Sequence, residues 1–455
     1  MLSAYINSVR IPELRNRILF TLGIVALVRV AANVPSPGVD AAALEALFER
    51  VRGAHGGGMV TMFDLFSGGA LQNFAVGALG IMPYISASII MQLMTPVVPT
   101  LEKLQREGES GRMKINQYTR YLTLLICLVQ GFAAARVMMN PGMLFRGIGD
   151  VRVVITTGPF FMLSSVVVLT AGAMLIMWLG EQVTERGIGN GASLIITVNI
   201  ISALPAAIFQ MVNLVRSGQA VGGAPFTIIH ALLLVAMFVV VCSATVALTQ
   251  GHRKIPIKHA RRSGGRTAMA GQTSYLPLRV NFSGVMPIIF ASAILAFPPF
   301  VLNAIEYTRI RGWAAWFQPG NNPYLFIFGA MIIIFSYFWV ANQFNPLQIS
   351  DNLQKQGGYI PGIRPGRPTA EFIDSTMTRI TLAGSIFLTA IALTPMILAD
   401  QANIPFTVSS FFGGTSLLIM VGVMLDTLRH VEAHLLSRHY DGFLSKGKLR
   451  SRRGG

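Results

Sequence analysis

Ten apolar stretches divide this chain, and each is about long enough to cross the roughly 30 Å hydrocarbon core of a bilayer as a tilted helix. They run Ile18–Val34, Ala75–Val98, Tyr121–Met139, Val153–Leu179, Ile188–Val215, Phe226–Thr249, Val280–Asn303, Pro323–Gln343, Ile380–Ala399 and Val408–Leu428. Composition agrees: 53% of the 455 residues are hydrophobic and 12% charged, against about 25% charged in soluble domains. Mean hydropathy is +0.57. The expected fold class is an all-α polytopic membrane protein.

One segment ahead of the second stretch is too short to cross. Met59–Gln72 (MVTMFDLFSGGALQ) is apolar on one side and broken by Gly68 and Gly69. At about 1.5 Å per residue it falls well short of the core thickness, yet it runs almost at once into Ala75–Val98. A short helix followed by a bend usually dips into a cavity inside the protein, because irregular backbone at membrane depth survives only there. The chain is expected to enclose something, with this segment inside it.

The formal charge of +17 carries topology. With ten spans both termini share one side, and only nine of the 36 Lys and Arg residues lie on the other, among them Arg29, Arg136, Arg216 and Arg309. The positive-inside rule then places both termini in the cytoplasm. No cleavable signal is evident, so the first span is expected to be an anchor. Five spans on each side of Arg216–Pro225 insert the two halves, 1–215 and 216–455, in opposite orientations, an arrangement with the functional path between halves. Two inner loops are long: 250–279, with seven basic residues and no acidic ones, and 345–379, where the dense Gly and Pro of Gly357–Gly366 predict a fixed turn. Each reads either as a solvated anchor or as a docking surface for a cytoplasmic partner. A basic tail follows the last span.

The spans hold almost no charge. Arg29, Arg136 and Asp426 fall near span ends, where long side chains snorkel, and no carboxylate or lysine sits near a midplane. That weakens a coupled secondary transporter, the main alternative, without abolishing it. Cys127 and Cys242 read as buried small apolar residues. Walker A, G-x-S-x-G and H-E-x-x-H motifs are missing. Gly187–Gly191 reads as a tight turn, and His430 with His434 lacks a third metal ligand. No enzyme, metal site or cofactor is expected, so any work must be driven from elsewhere.

In span two, Ile81, Ile85 and Ile89 lie at i, i+4 and i+8 and share a helix face. Span seven has a similar run, Met286–Ser292. Pro83 and Pro287 free backbone groups and permit bending. The run Phe66–Leu71 followed by Gly80–Ile90 closely resembles the bacterial SecY family, central subunits of the preprotein translocase. So do Gly108–Arg112, Gln117–Arg120, Gly180–Gly191, Pro361–Gly366 and Phe412–Ile419, in order along nearly the whole chain.

The resemblance implies a ten-helix clamshell of two inverted five-helix halves, with an hourglass pore and a short re-entrant plug. Ile81, Ile85, Ile196, Ile289 and Ile419 match the family's apolar constriction. Ala192 stands where many relatives carry Ile and thins that ring. The plug would be 59–72, including Met62, Phe63, Phe66, Ser67, Gly68 and Gly69. Ser86, Ile89 and Phe297 match the lateral gate. Arg253, Lys254, Lys258, Arg261, Arg262 and Arg364 would dock the partner that pushes, the SecA ATPase or a ribosome.

The implied function is translocation of unfolded secretory polypeptides, with sideways release of hydrophobic segments into lipid. Leu, Ile, Phe or Val gains about 0.3–0.6 kcal/mol per residue there, while Asp, Lys or Arg costs about 2.5–3.5 kcal/mol. Expected partners are SecE-like and SecG-like small subunits, signal peptides, unfolded preproteins and membrane lipids, with no nucleic-acid site beyond contact with ribosomal RNA. The implied location is the bacterial inner membrane.

Overall fold

The computed structural model describes residues 12–53, 63–141, 153–155, 157–217, 220–221, 224–225, 227–259, 273–304, 316–317, 321–401, 408, 412 and 414–446. Helices make up most of them. Six, among the described residues, are long and apolar enough to cross a membrane: Glu109–Met139, Pro159–Arg186, Gly191–Arg216, Ile228–Gln250, Asn322–Lys355 and Arg367–Leu398. A bent pair, Met82–Met94 with Pro99–Arg106, would make a seventh. Helices Pro12–Asn33, Met286–Ala304 and Thr415–Lys446 occupy the stretches expected for spans one, seven and ten. Contacts group the chain into two compact units, Met1–Ala203 with Val423–Gly455, and Leu204–Gly422.

In the first unit, helix Glu109–Met139 packs along both Pro159–Arg186 and Met82–Met94. Gly131 faces the backbone of Val166 with space for close helix approach. Arg120 forks onto Glu181, Nε to Oε1 at 3.0 Å and Nη2 to Oε2 at 2.8 Å, bracing the first two of these helices. Asn190 caps helix Gly191–Ser202 by accepting from the Ser193 N–H. Gly191 has no side chain because the Gly180 carbonyl oxygen lies 1.9 Å from where its Cβ would be.

Span two is not the continuous helix that Ala75–Val98 suggested. Ala75 bridges antiparallel to Pro35, residues 76–81 are turns, and helix begins only at Met82. The preceding backbone is held by other partners: Val76 N–H donates to Val34 O at 2.9 Å, and Gly77 N–H to Ala31 O at 3.0 Å. The Val76 carbonyl lies against Gly172, where a Cβ would be 1.9 Å away. Pro83 falls in the first turn, where its missing N–H costs nothing. After Met94 the chain bends by 95° into Pro99–Arg106. The 13 helical residues reach only about 20 Å.

In the second unit, helix Ile228–Gln250 starts at a capping box, in which Thr227 and His230 satisfy each other's backbone N–H groups. Helix Asn322–Gln343 packs on Met286–Ala304, with Phe290 set edge-on to Phe335 and Trp339. Two short strands, β1 (Ala220–Val221) and β2 (Ala224–Pro225), form a small ladder.

The all-α expectation missed a second sheet. Strands β3 (His252–His259), β4 (Thr273–Arg279) and β5 (Gly358–Tyr359) pair antiparallel in the order β4-β3-β5. The two long loops therefore join, with Lys258 opposite Tyr359. Ile255, Leu278 and Ile360 are buried with Ile373, Met377 and Ile380 of helix Arg367–Gln401. The alternation of Ile255 and Ile257 with exposed neighbours is the period-two signal of a half-buried strand.

Candidate functional site

Segment 63–80 threads back into the first unit. Residues 63–67 form a short helix, with Asp64, Leu65, Phe66 and Ser67 buried. Its own groups close most of its hydrogen bonds. Gly69 N–H donates to Asp64 O at 3.0 Å and Gly68 N–H to Leu65 O at 3.3 Å. The Asp64 carboxylate accepts from the Gln72 backbone N–H at 3.2 Å and from the Gln72 amide. Ser67 Oγ donates to Asp64 O and accepts from Leu71 N–H.

Two carbonyls at the end of this helix look outward for donors. Phe66 O accepts from Asn199 Nδ2 at 2.8 Å, and Gly68 O from Arg29 Nη1 at 2.9 Å. Arg29 Nη1 also lies 3.5 Å from Asn199 Oδ1. Gly68 has φ +70°, and a Cβ there would stand 2.3 Å from Arg29 Nη1. Arg29 thus reaches into the protein to meet the segment, beyond the snorkelling expected of it. Neither Arg29 nor Asn199 was anticipated as a site residue. The available signal was a strong polar group in each of two apolar spans.

The isoleucines expected in the constriction are all buried: Ile81 at 1%, Ile85 at 7%, Ile196 and Ile419 at 0%, Ile289 at 2% exposure. Ala192 is half-buried. Within the first unit, the tips of Ile81 and Ile195 both close on Gly180. Ile195, 1% exposed, stands beside Ile81 and was not among the expected residues. Ser86 is half-buried and Ile89 buried on helix Met82–Met94. Phe297 belongs to helix Met286–Ala304, and its side chain lies outside the described residues, as do Met62, Arg261 and Arg262.

The basic residues of β3 are exposed at Arg253, Lys254 and Lys258. Arg364 is exposed on a turn fixed from within. Its carbonyl accepts from Thr369 Oγ1 at 2.8 Å, and Gly366 O accepts from Ser350 Oγ at 2.7 Å. The fixed turn expected here is present, with φ +86° at Gly362 and +98° at Gly366. Among the described residues no group of three or more His, Cys, Asp or Glu could hold a metal.

The SecY family model matches residues 75–428. The chain is 43% identical over 448 residues to the protein translocase subunit SecY of Escherichia coli strain K12, covering 96% of this chain and 95% of that one. It is 42% identical to that of Thermus thermophilus over 456 residues, covering 99% and 100%. The fold is similar to the solved structure of a protein-conducting channel, with TM-score 0.63 at 15% identity over 95% of this chain and 94% of that one. A SecY structure described as having a plug domain that stabilises the closed channel aligns with TM-score 0.64 at 17% identity, covering 95% and 94%. Sec61 in a canine ribosome–channel complex from the endoplasmic reticulum aligns with TM-score 0.59 at 14% identity, covering 95% and 94%.

Proposed function

The chain belongs to the SecY family and is a multi-pass, protein-conducting translocation channel, and from that premise we propose that unfolded secretory polypeptides cross it between Ile81, Ile85, Ile196, Ile289 and Ile419. The ring sits in an hourglass pore of a ten-helix clamshell, whose inverted halves are 1–215 and 216–455. The observation that carries this reading is the re-entrant segment 63–80, which folds back and leads straight to Ile81 and Ile85 at the start of a short, proline-begun helix.

A narrow ring of branched apolar side chains expels water and so blocks ions without any charge. The same side chains offer no specific hydrogen bond, so a mixed sequence slides past. Ala192 leaves one bulky group fewer in the ring, and Ile195 beside Ile81 supports the wall there. Residues 59–72 are the plug, sealing with Phe66. Ser86, Ile89 and Phe297 line a lateral gate through which signal peptides and apolar segments meet membrane lipids.

The energy comes from outside, because the chain is read as a conduit without catalytic chemistry or cofactor. Exposed Arg253, Lys254 and Lys258 on β3, with Arg364 on its turn, present the basic surface on which SecA or a ribosome docks, ribosomal RNA included. SecE-like and SecG-like subunits accompany the channel in a bacterial inner membrane, with both termini cytoplasmic. The relatives are translocase subunits, and no observation favours a secondary transporter. Proteoliposomes holding this chain, a SecE-like subunit and the motor are expected to import a secretory precursor with ATP. No protected precursor under those conditions would overturn the reading.

A further inference from the structure

We propose that Asn199 and Arg29 form a latch that holds the plug seated and sets how readily the channel opens. The inference rests on the plug reading above and concerns what keeps that plug in place. The short helix 63–67 ends with carbonyls that no intrahelical N–H reaches. Its internal turns satisfy Asp64 O and Leu65 O. Phe66 O and Gly68 O are completed from outside, by Asn199 of helix Gly191–Ser202 and Arg29 of helix Pro12–Asn33.

The two donors act together. Arg29 stands near the Asn199 carbonyl oxygen at 3.5 Å, which turns the amide so that its N–H₂ faces Phe66 O. The opposite orientation would set two oxygens against each other and a donor against a cation. With the plug seated, Asn199 is 2% exposed, so its bond to Phe66 O is made away from water, where a hydrogen bond is electrostatically stronger than in water. Losing the amide N–H leaves the buried Phe66 carbonyl unpaired in the seated state, which is costly, so the bond favours that state. Gly68 completes the fit, because any side chain there would collide with both partners, at 2.3 Å from Arg29 Nη1 and 2.8 Å from Asn199 Oδ1.

The arrangement also couples the plug to the helices. The donors sit on two different spans, so displacing either span stretches a bond to the plug. Hydrogen bonds weaken steeply with misalignment, which makes release respond to small helix movements.

The test is single-channel recording of the full chain, reconstituted with its small membrane subunits in planar bilayers without motor or substrate. Asn199→Ala removes both functions of the amide. Asn199→Asp keeps the size and the acceptor facing Arg29 but has no N–H for Phe66 O. Both are expected to raise opening frequency about tenfold, the ratio that corresponds to about 1.4 kcal/mol, with unitary conductance unchanged because the pore wall is untouched. Deletion of 63–69 is the reference and is expected to open the channel further. If the deletion opens the channel and the folded Asp variant keeps the parental frequency, the latch is wrong and the plug reading survives. If the deletion itself leaves the channel as closed as before, the plug reading falls and the latch with it. A changed conductance in the Asp variant also overturns the latch, since it would place Asn199 in the conducting path.

Discussion

Replacing Gly68 by alanine separates two contributions that the seated plug depends on. Gly68 has φ +70°, and its added Cβ would meet Arg29 Nη1 at 2.3 Å and Asn199 Oδ1 at 2.8 Å. Left-handed backbone costs an L-residue about 1–2 kcal/mol. The collision forces Arg29 off Gly68 O, and a hydrogen bond to a charged group contributes about 1.5–3 kcal/mol. Together they disfavour the seated state by about 2.5–5 kcal/mol, or roughly two to three and a half orders of magnitude in the seated-to-released ratio. Gly69 is the internal control, since it has φ +86° but nothing within 4 Å of its would-be Cβ. Gly69→Ala is expected to show the backbone share alone, about 1–2 kcal/mol. The assay is passive ion efflux from proteoliposomes at matched protein content. Equal efflux from the two variants would refute the contact with Arg29. Parental tightness in both would refute the seated segment as a seal.

Replacing Ile85, Ile289 and Ile419 together with serine is expected to wet the constriction and raise ion conductance in planar bilayers; a folded mutant with parental conductance contradicts the apolar seal. Arg364→Glu is expected to lower precursor export at least tenfold while leaving thermal unfolding unchanged, because the turn is held by the Arg364 carbonyl and not by its side chain; export and motor ATPase at parental levels would remove the docking role. Gly191→Ala places a Cβ 1.9 Å from the Gly180 carbonyl oxygen, so overpacking of about 1–3 kcal/mol is expected as a lower unfolding temperature in detergent; an unchanged temperature would mean that the joint between these helices yields freely.

The apolar spans were legible because hydrophobic length is a direct requirement of the bilayer, and the helices near Glu109–Met139, Pro159–Arg186 and Ile228–Gln250 follow it. Span two was only half legible. Its composition is apolar throughout, but the backbone at 75–81 is claimed by Ala31 and Val34 and pressed against Gly172, long-range partners that hydropathy does not register. The sheet was missed for a related reason. Ile255 and Ile257 alternate with exposed residues, yet the run is short, basic and interrupted by Pro256, and one of its partners, Tyr359, lies far along the chain. Residue pattern picked out the isoleucine stripe at 81, 85 and 89, and family likeness added the other ring positions. Asn199 escaped both, because an amide in an apolar span declares its role only when the carbonyl it bonds, Phe66 O, is folded back beside it.

The central claim is that a polypeptide passes between the buried isoleucines. Photoactivatable residues at Ile85, Ile289 and Ile419, with Val30 (61% exposed) as a control, can be irradiated while a precursor is stalled midway by a folded C-terminal domain. Adducts to the precursor are expected at the three isoleucine positions and not at Val30. Precursor adducts at Val30 with none at the isoleucines would contradict the account.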